Sequence, residues 1–444
     1  MSSSSLLSGF KSHLEATLIV IINPTKSLYK LFNFHFMSSS KLNLNLNRST
    51  IDLSSSEFEE KIEKIKNTPA PRFAKYIPNL DNLKKLEEKY KNKKNIIVEG
   101  NGGAISNFRG IYNTLGEISD KNVYLLDTED PAYIQELKRK CSPKDSLVIL
   151  TSKSGTRIQV LANYFAFSDY PILIITEDND GALNQIRKEK GLDVSFYPET
   201  EITDRYTGLT ESALTSAEIV GIDTRDMIEG GKEMYALCDV NSTIKNNPAL
   251  QLALTLDKLE KIGYTELFLS IYSKKLFGFY SLIVQLYHES VCKKELGQTI
   301  YGGEAPENQH HTLQRFISGR KNSLGFFITI KNSTDKENLK LKISDNLRNI
   351  KCRNITLENL SHFSLGDIVK AEFQGTWQDV IDNSIPAVHL ELDEISPRTI
   401  GQFMAFFYYF TFYSALLRNV NPCNQPGVEK SKENIFGIVE KIGI

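Results

Sequence analysis

Between residues 96 and 197, short apolar runs alternate with longer stretches of helix-compatible sequence. This alternation predicts βαβ units, and therefore a parallel sheet that is covered by helices on both faces. The predicted strands are residues 96–98, 123–126, 147–150, 172–175 and 194–197. The predicted helices are residues 104–115, 131–140, 157–167 and 181–190. We therefore predict a doubly wound α/β domain in this part of the chain.

A second α/β set follows the first. Its predicted strands are residues 267–271, 325–330 and 388–392, and its predicted helices are residues 248–261, 274–292 and 399–417. The last of these helices carries an aromatic patch that is apolar on every side, which predicts burial in a large core or in an oligomer interface. We therefore predict two α/β domains, at residues 46–222 and 223–444, the second ending in a helical segment.

The first 45 residues are rich in serine and low in complexity, which predicts a disordered tail. Met37 offers a second start, so part of this segment is alternatively an extension upstream of the true start. The apolar run at residues 16–22 is far shorter than the ~20 residues of a membrane span. Since no basic segment precedes it, we interpret the chain as non-secretory.

Charge and cysteine content exclude several functional classes. The chain has 53 Lys and Arg residues against 54 Asp and Glu residues, so its formal net charge is −1. This balance argues against a partner bound through a nucleic-acid backbone. The five cysteines are scattered and none forms a CxxC pair, so neither a zinc site nor a disulfide framework is indicated. Reduced thiols in a cytoplasmic protein are the simplest interpretation.

Two loops that follow predicted strands are suited to binding an anion. Ligands of open α/β sheets bind at the carboxyl ends of the strands. In the loop at residues 99–104, Gly102 and Gly103 would let the backbone approach a ligand closely, although a plain tight turn also explains them. The loop at residues 151–157 combines hydroxyls, Lys and Arg at a helix start, which suits a phosphate monoester; the alternative is an ordinary helix cap. The candidate phosphate-binding residues are Ser152, Lys153, Ser154, Thr156 and Arg157.

Four further residues could take part in chemistry. Arg205 is either a fixed anion-stabilising donor or a surface ion-pair partner. Glu289 lies near the end of a strongly apolar helix, where a carboxylate either reaches solvent at the edge or is held for proton transfer. A histidine such as His310 is more often structural than catalytic. Lys432, just inside a predicted C-terminal helix, is by composition an ordinary surface lysine.

The pair His310-His311 also raises the question of a metal site. Adjacent positions on one helix point apart, and no carboxylate lies at ligand spacing. We therefore predict no metal site.

Taken together, these segments resemble the phosphoglucose isomerase (glucose-6-phosphate isomerase) family, from about residue 95 to residue 432. Residues 152–156 resemble its phosphate loop, and residues 204–207 resemble its second signature. Glu289-Ser290 resembles the catalytic glutamate motif, and Gln309-His310 with Gln314 resembles the Gln-His-x-x-x-Gln segment. His310 lies 21 residues after Glu289, as in the shorter microbial members. Residues 424–432 resemble the C-terminal signature.

The resemblance implies two sugar-isomerase-type α/β domains and a homodimer in which a histidine from the partner subunit completes each active site. It implies that Glu289 moves a proton between C2 and C1 through a cis-enediol, and that Arg205 stabilises the charge of this intermediate. His310 and Lys432 would assist ring opening. Ser152, Ser154 and Thr156 would hold the phosphate, while Gln285 and Gln425 would contact the sugar.

The reaction implied is the interconversion of glucose 6-phosphate and fructose 6-phosphate in glycolysis or gluconeogenesis, with no metal or redox cofactor. Such proton abstraction needs a carboxylate partly shielded from water, which the end of an apolar helix can provide. The charge that develops on the enediolate oxygens needs a fixed cation.

Four positions depart from the family pattern. Ala104 stands where a serine is usual, Arg157 where a threonine is usual, and Asp204 and Cys292 where glycines are usual. These departures leave two alternatives: a dual phosphoglucose/phosphomannose isomerase, and a non-catalytic regulator that binds sugar phosphates. All proposed proton-handling residues are present, which favours an active isomerase.

Overall fold

The fold was analysed in a computed structural model, which describes residues 40–54, 56–197, 202–332 and 339–442. These residues belong to one compact unit, Phe36–Ile444. Most of the predicted N-terminal tail lies outside the described residues. Its last residues differ from the prediction, because Leu42–Asn45 form a strand, β1, with Leu42 and Leu44 buried.

The first sheet has five parallel strands in the order β3-β2-β4-β5-β6. Its strands are β2 (Asn95–Gly100), β3 (Asn122–Leu126), β4 (Ser146–Thr151), β5 (Ile172–Thr176) and β6 (Asp193–Phe196). Every residue of the central strand β4 is buried, as expected where helices cover both faces of a parallel sheet. The predicted strands of the first domain are confirmed.

Helices connect and cover this sheet. They are α1 (Glu59–Lys66), α2 (Leu80–Tyr90), α3 (Gly103–Leu115), α4 (Pro131–Lys140), α5 (Ile158–Ala166), α6 (Ala182–Lys190), α7 (Glu211–Ile219) and α8 (Thr224–Leu237). The last two, which lie on either side of the predicted domain boundary at residue 222, were not predicted. α7 is buried on nearly every side and so lacks the one-sided apolar pattern by which a surface helix is recognised.

The second sheet has the order β1-β12-β9-β7-β8. Its strands β7 (Glu266–Ile271), β8 (Thr299–Glu304), β9 (Ser323–Ile330) and β12 (Ala387–Leu392) are parallel, and β1 pairs with β12 in the antiparallel sense. A separate two-stranded hairpin consists of β10 (Lys351–Cys352) and β11 (Ile355–Thr356).

Strand β8 was not among the predicted strands, and two glycines, Gly302 and Gly303, lie within it. Gly302 has a φ of +121°, and a Cβ there would lie 2.2 Å from the carbonyl oxygen of Leu269 on the neighbouring strand. The glycine is therefore required by a close approach of two strands.

The remaining helices are α9 (Pro248–Lys261), α10 (Tyr280–Val291), α11 (Thr312–Ser318), α12 (Leu357–Leu360), α13 (Leu365–Asp382), α14 (Pro397–Leu417) and α15 (Pro426–Ile442). Helix α14 has the length and hydropathy of a membrane span, yet 94% of its apolar window is buried inside the fold. This agrees with the prediction of a core helix. The fold class, α/β with two parallel-type sheets and a C-terminal helix, is confirmed.

Candidate active site

A cavity of about 270 Å³ opens at the carboxyl ends of the first sheet's strands, where α10 and the start of α15 close it. This is the edge at which open α/β sheets bind ligands. Nine of the predicted site residues line it: Gly102, Gly103, Lys153, Arg157, Arg205, Gln285, Glu289, Gln425 and Lys432. The cavity is also lined by Thr203, Asp204 and Val428. Residues that lie far apart in the sequence thus meet in one place.

The centre of the cavity is an ion pair between Arg205 and Glu289. The Arg205 side chain is 2% exposed, whereas that of Glu289 is 30% exposed. The Arg205 Nε donates to Glu289 Oε2 at 2.9 Å, and its Nη1 donates to the carbonyl oxygen of Pro422 at 2.8 Å. A further donor of Arg205 contacts Gln425 Oε1. Because several acceptors hold it, the guanidinium is fixed in place, as charge stabilisation requires.

Helix α10 also positions the second oxygen of Glu289. Gln285 lies one helical turn before Glu289, and its Nε2 donates to Glu289 Oε1 at 3.0 Å. The Gln285 Oε1 in turn accepts from the Ser106 hydroxyl of α3 at 2.8 Å. Both carboxylate oxygens of Glu289 are therefore held, while one face of the side chain remains open to the cavity.

The glycine turn before α3 packs directly against the segment that carries Arg205. A Cβ on Gly103 would lie 2.4 Å from the backbone carbon of Asp204 and 2.5 Å from the backbone nitrogen of Arg205. Gly102 has a φ of +60°, in the left-handed region that favours glycine. These two glycines are thus required by the fold of the site itself, beyond any contact with a ligand.

The hydroxyl-bearing residues of the predicted phosphate loop are not among the residues that line the cavity. Ser152 is buried and accepts a hydrogen bond from the backbone of Gly155 at 3.2 Å. The exposed hydroxyls of Ser154 and Thr156 lie 2.9 Å apart and bond to each other. Lys153 is the one loop residue besides Arg157 that lines the cavity, and its Nζ donates to the carbonyl oxygen of Ile202 at 2.7 Å.

The C-terminal helix contributes the last part of the wall. Lys432 Nζ contacts Glu429 Oε1 at 2.9 Å, and Gln425 Nε2 donates to the same oxygen at 3.0 Å. Glu429 was not singled out from the sequence. The spacing in the sequence could have indicated it, because a residue three positions before Lys432 lies on the same helix face.

His310 does not line the cavity. It is exposed at the end of a short 3₁₀ turn after β8. The preceding Gln309 anchors this turn, since its Nε2 donates to the Tyr272 hydroxyl at 2.9 Å and to the Thr376 hydroxyl at 2.8 Å. His311 is exposed and contacts Glu307 at 2.7 Å.

A second charged residue near the site, besides Glu429, was missed by the sequence analysis. Lys293, just after α10, donates to the carbonyl oxygen of Ser290 at 3.0 Å. Burial, and then the charge of Arg205, lower the pKa of Lys293 to about 8. The sequence around Lys293 does not indicate that Arg205 lies near it, because Arg205 is far away in the sequence.

Two solved structures show that the fold is of the phosphosugar isomerase type. A glucose-6-phosphate isomerase from Chlamydia trachomatis matches with a TM-score of 0.74 and 16% identity, over 91% of this chain and 89% of that one. A tagatose-6-phosphate ketose/aldose isomerase from Escherichia coli matches with a TM-score of 0.53 and 13% identity, over 85% of this chain and 97% of that one. No family model matches the chain.

Two sequence relatives carry the name of one enzyme within the class of phosphosugar isomerases, glucose-6-phosphate isomerase. A glucose-6-phosphate isomerase from Methanocaldococcus jannaschii is 26% identical over 374 residues, which are 82% of this chain and 88% of that protein. The glucose-6-phosphate isomerase of Acholeplasma laidlawii is 26% identical over 381 residues, which are 82% of this chain and 87% of that protein. The resemblance predicted from the sequence is confirmed: the chain is a distant relative of the phosphoglucose isomerases.

Proposed function

We propose that this protein is an aldose-ketose isomerase that interconverts glucose 6-phosphate and fructose 6-phosphate. The observation that carries the proposal is the Arg205–Glu289 pair, a carboxylate and a buried guanidinium that share one cavity with cationic residues. The names of the sequence relatives favour this activity over both alternatives.

In this mechanism Glu289 is the base. Its carboxylate takes the proton from C2 of the open-chain aldose, so that C1 and C2 become doubly bonded and O1 carries the negative charge. A proton passes from O2 to O1 at the stage of the cis-enediol, and Glu289 returns its proton to C1, which leaves the carbonyl group of the ketose at C2. Arg205 stabilises the negative charge on the enediolate oxygens, and it needs no reorganisation because Pro422 and Gln425 already hold it. Gln285 orients the carboxylate through its hydrogen bond to Oε1.

The phosphate would be held near Lys153 and Arg157, and this remote contact would position the reacting carbons. Lys432 also lines the cavity, where it would contact the ring oxygen and hydroxyls of a bound sugar. We place the reaction in the cytoplasm, in glycolysis or gluconeogenesis.

We also propose a homodimer in which His310 of each subunit completes the site of the other. His310 is exposed and does not line the cavity of its own chain, which supports a role in trans. Together with Lys432, it would assist ring opening.

The test follows fructose 6-phosphate conversion with a coupled dehydrogenase for the wild type and for Glu289→Gln. The variant keeps the size of the side chain but removes the base, so we expect turnover to fall at least about a hundredfold. Glu266→Gln is the matched control, because Glu266 also pairs with an arginine, Arg315, but lies outside the cavity.

A wild-type protein that binds fructose 6-phosphate without turnover would contradict the proposal and favour the regulator. Mannose 6-phosphate, supplied to the same assay, tests the dual-specificity alternative.

A further inference from the structure

Two of the positions that depart from the family pattern contact each other. Arg157, at the end of the β4–α5 loop, forms an ion pair with Asp204, which lies 47 residues away in the sequence. The Nη1 of Arg157 also donates to the carbonyl oxygen of Asn101 at 3.0 Å. The guanidinium therefore joins three loops at the carboxyl edge of the first sheet, and it lines the cavity.

Both partners face the region where an anion would bind. The side chain of Arg157 is 32% exposed and that of Asp204 is 17% exposed, and both lie on the cavity wall. Asp204 cannot move away easily. Its backbone packs against Gly103, and its carbonyl oxygen accepts from Asn107 Nδ2 at 3.1 Å and from the Thr207 hydroxyl at 2.7 Å.

The other cations of the cavity are balanced in a similar way. Arg205 pairs with Glu289 at 2.8 Å, Lys432 with Glu429 at 2.9 Å, and Lys153 with Glu177 at 3.5 Å. Asp204 differs from Glu177 and Glu429 because it lines the cavity itself. Without Arg157, its charge would repel a phosphate dianion across a partly desolvated space, where such repulsion is strong.

We propose that Arg157 and Asp204 act as one unit that determines the affinity for the phosphoryl group of the substrate. Arg157 supplies charge-assisted hydrogen bonds to the phosphoryl oxygens, since two of its five N–H donors are used by Asn101 and Asp204 and the other three have no acceptor among the described residues. It also neutralises Asp204. The loop hydroxyls contribute less, because Ser152 is buried and Ser154 and Thr156 bond to each other. The inference rests on the proposed function for the identity of the ligand.

The test is a double-mutant cycle with Arg157→Gln and Asp204→Asn, in which calorimetry measures the dissociation constant for fructose 6-phosphate. We expect Arg157→Gln to weaken binding by about a hundredfold, because it removes charged hydrogen bonds and leaves Asp204 uncompensated. Asp204→Asn alone should leave binding unchanged or strengthen it. The double variant should recover at least about tenfold of the loss, beyond any gain that Asp204→Asn gives alone.

Three controls keep the test decisive. Arg109→Gln removes an arginine that pairs with Asp127 outside the cavity, and it should leave binding unchanged. Arg157→Lys keeps the charge but loses the planar fork, and it should give an intermediate affinity. Thermal unfolding without ligand shows whether each variant is folded.

A double variant that binds as weakly as Arg157→Gln would overturn the inference, as would an Arg157→Gln variant that binds like the wild type. Turnover of the wild type, measured separately, tests the proposed function. If the wild type is active but the effects of the two substitutions on binding are additive, only the inference is contradicted. If the double variant recovers binding but the wild type binds without turnover, only the proposed function is contradicted.

Discussion

Glu99 is the most unusual acid of the described residues. It lies at the carboxyl end of β2 and is fully buried. Its Oε1 accepts from Asn163 Nδ2 at 3.4 Å, while its Oε2 has no hydrogen-bond partner among the described residues. Burial raises the pKa of Glu99 to about 8. The carboxyl group is therefore mostly protonated at neutral pH, directly behind the loop that carries Asn101.

This shift predicts how stability depends on pH. The pKa of Glu99 is higher in the folded state than in the unfolded chain, where a glutamate titrates near 4.3, so its stabilising effect is lost as pH rises. We expect the free energy of unfolding of the wild type to fall between pH 5 and 8 by up to about 1.4 kcal/mol per pH unit from this group. Glu99→Gln should remove that slope in urea unfolding.

The control for this experiment is Glu117→Gln, because Glu117 is exposed and pairs with Lys275 on the surface. It should keep the wild-type slope. Equal slopes in wild type and Glu99→Gln would mean that Glu99 ionises as readily in the folded protein as in the unfolded chain.

Among single residues, Cys292 shows why one departure from the family pattern is tolerated. Its φ is −75°, which any residue adopts, so a glycine is not required there. The left-handed residues of this turn are Lys294 and Glu295, with φ of 55° and 61°. Cys292 itself is half-buried, and burial raises the pKa of its thiol to about 11.

At the scale of elements, the start of α3 supports the catalytic pair. Gly103 touches the backbone of Asp204 and Arg205, so an added methyl group would meet atoms that cannot rotate away. We expect Gly103→Ala to displace Arg205 from Glu289 and to lower kcat for fructose 6-phosphate at least about tenfold, since small misplacements of catalytic groups are costly.

Gly375→Ala is the matched control for this substitution. Gly375 lies within α13, and a Cβ there would meet nothing within 4 Å. Because alanine is the better helix former, this variant should be about 1 kcal/mol more stable and equally active. A Gly103→Ala variant with wild-type kcat would show that the loop can shift without moving Arg205.

The elements also show what the sequence could and could not predict. Strands β2 to β6 could be predicted, because each contains an apolar run of the length typical of a buried strand. The loops of the site could then be predicted, because ligands of such sheets bind at the carboxyl ends of the strands. Strand β8 was not predicted, because Gly302 and Gly303 are residues typical of a loop. In the structure, the close contact with the neighbouring strand requires a glycine at Gly302. The Arg157–Asp204 pair could not be predicted, because neither residue carries a local signal of the other. Hydroxyl orientations in the phosphate loop depend on the turn at Gly155, whose φ is +66°.

At the scale of the whole molecule, α14 joins the site segments to the core. The Tyr408 hydroxyl donates to Asn107 Oδ1 at 2.7 Å and accepts from the backbone of Gly208 at 2.8 Å. Asn107 lies in α3, and Gly208 follows the segment of Arg205. A buried aromatic helix therefore fixes the position of α3 relative to the segment that follows Arg205.

The proposed dimer leads to a complementation experiment. If His310 acts on the site of the partner subunit, a site needs Glu289 from one chain and His310 from the other. Glu289→Gln and His310→Ala are then each inactive or strongly impaired alone. A heterodimer of the two contains one site with both wild-type groups and one site with neither. The purified heterodimer should therefore have about half of the wild-type activity.

The restored activity separates the two arrangements. If His310 acted within its own chain, every site of the heterodimer would lack one group, and mixing would restore nothing. Co-expression with two different tags, followed by sequential affinity purification, isolates the heterodimer for the assay. The same experiment with His311→Ala in place of His310→Ala is the control, because His311 contacts Glu307 on the surface and its loss should leave the homodimer active. Activity lost at His311 instead would assign the role to that residue.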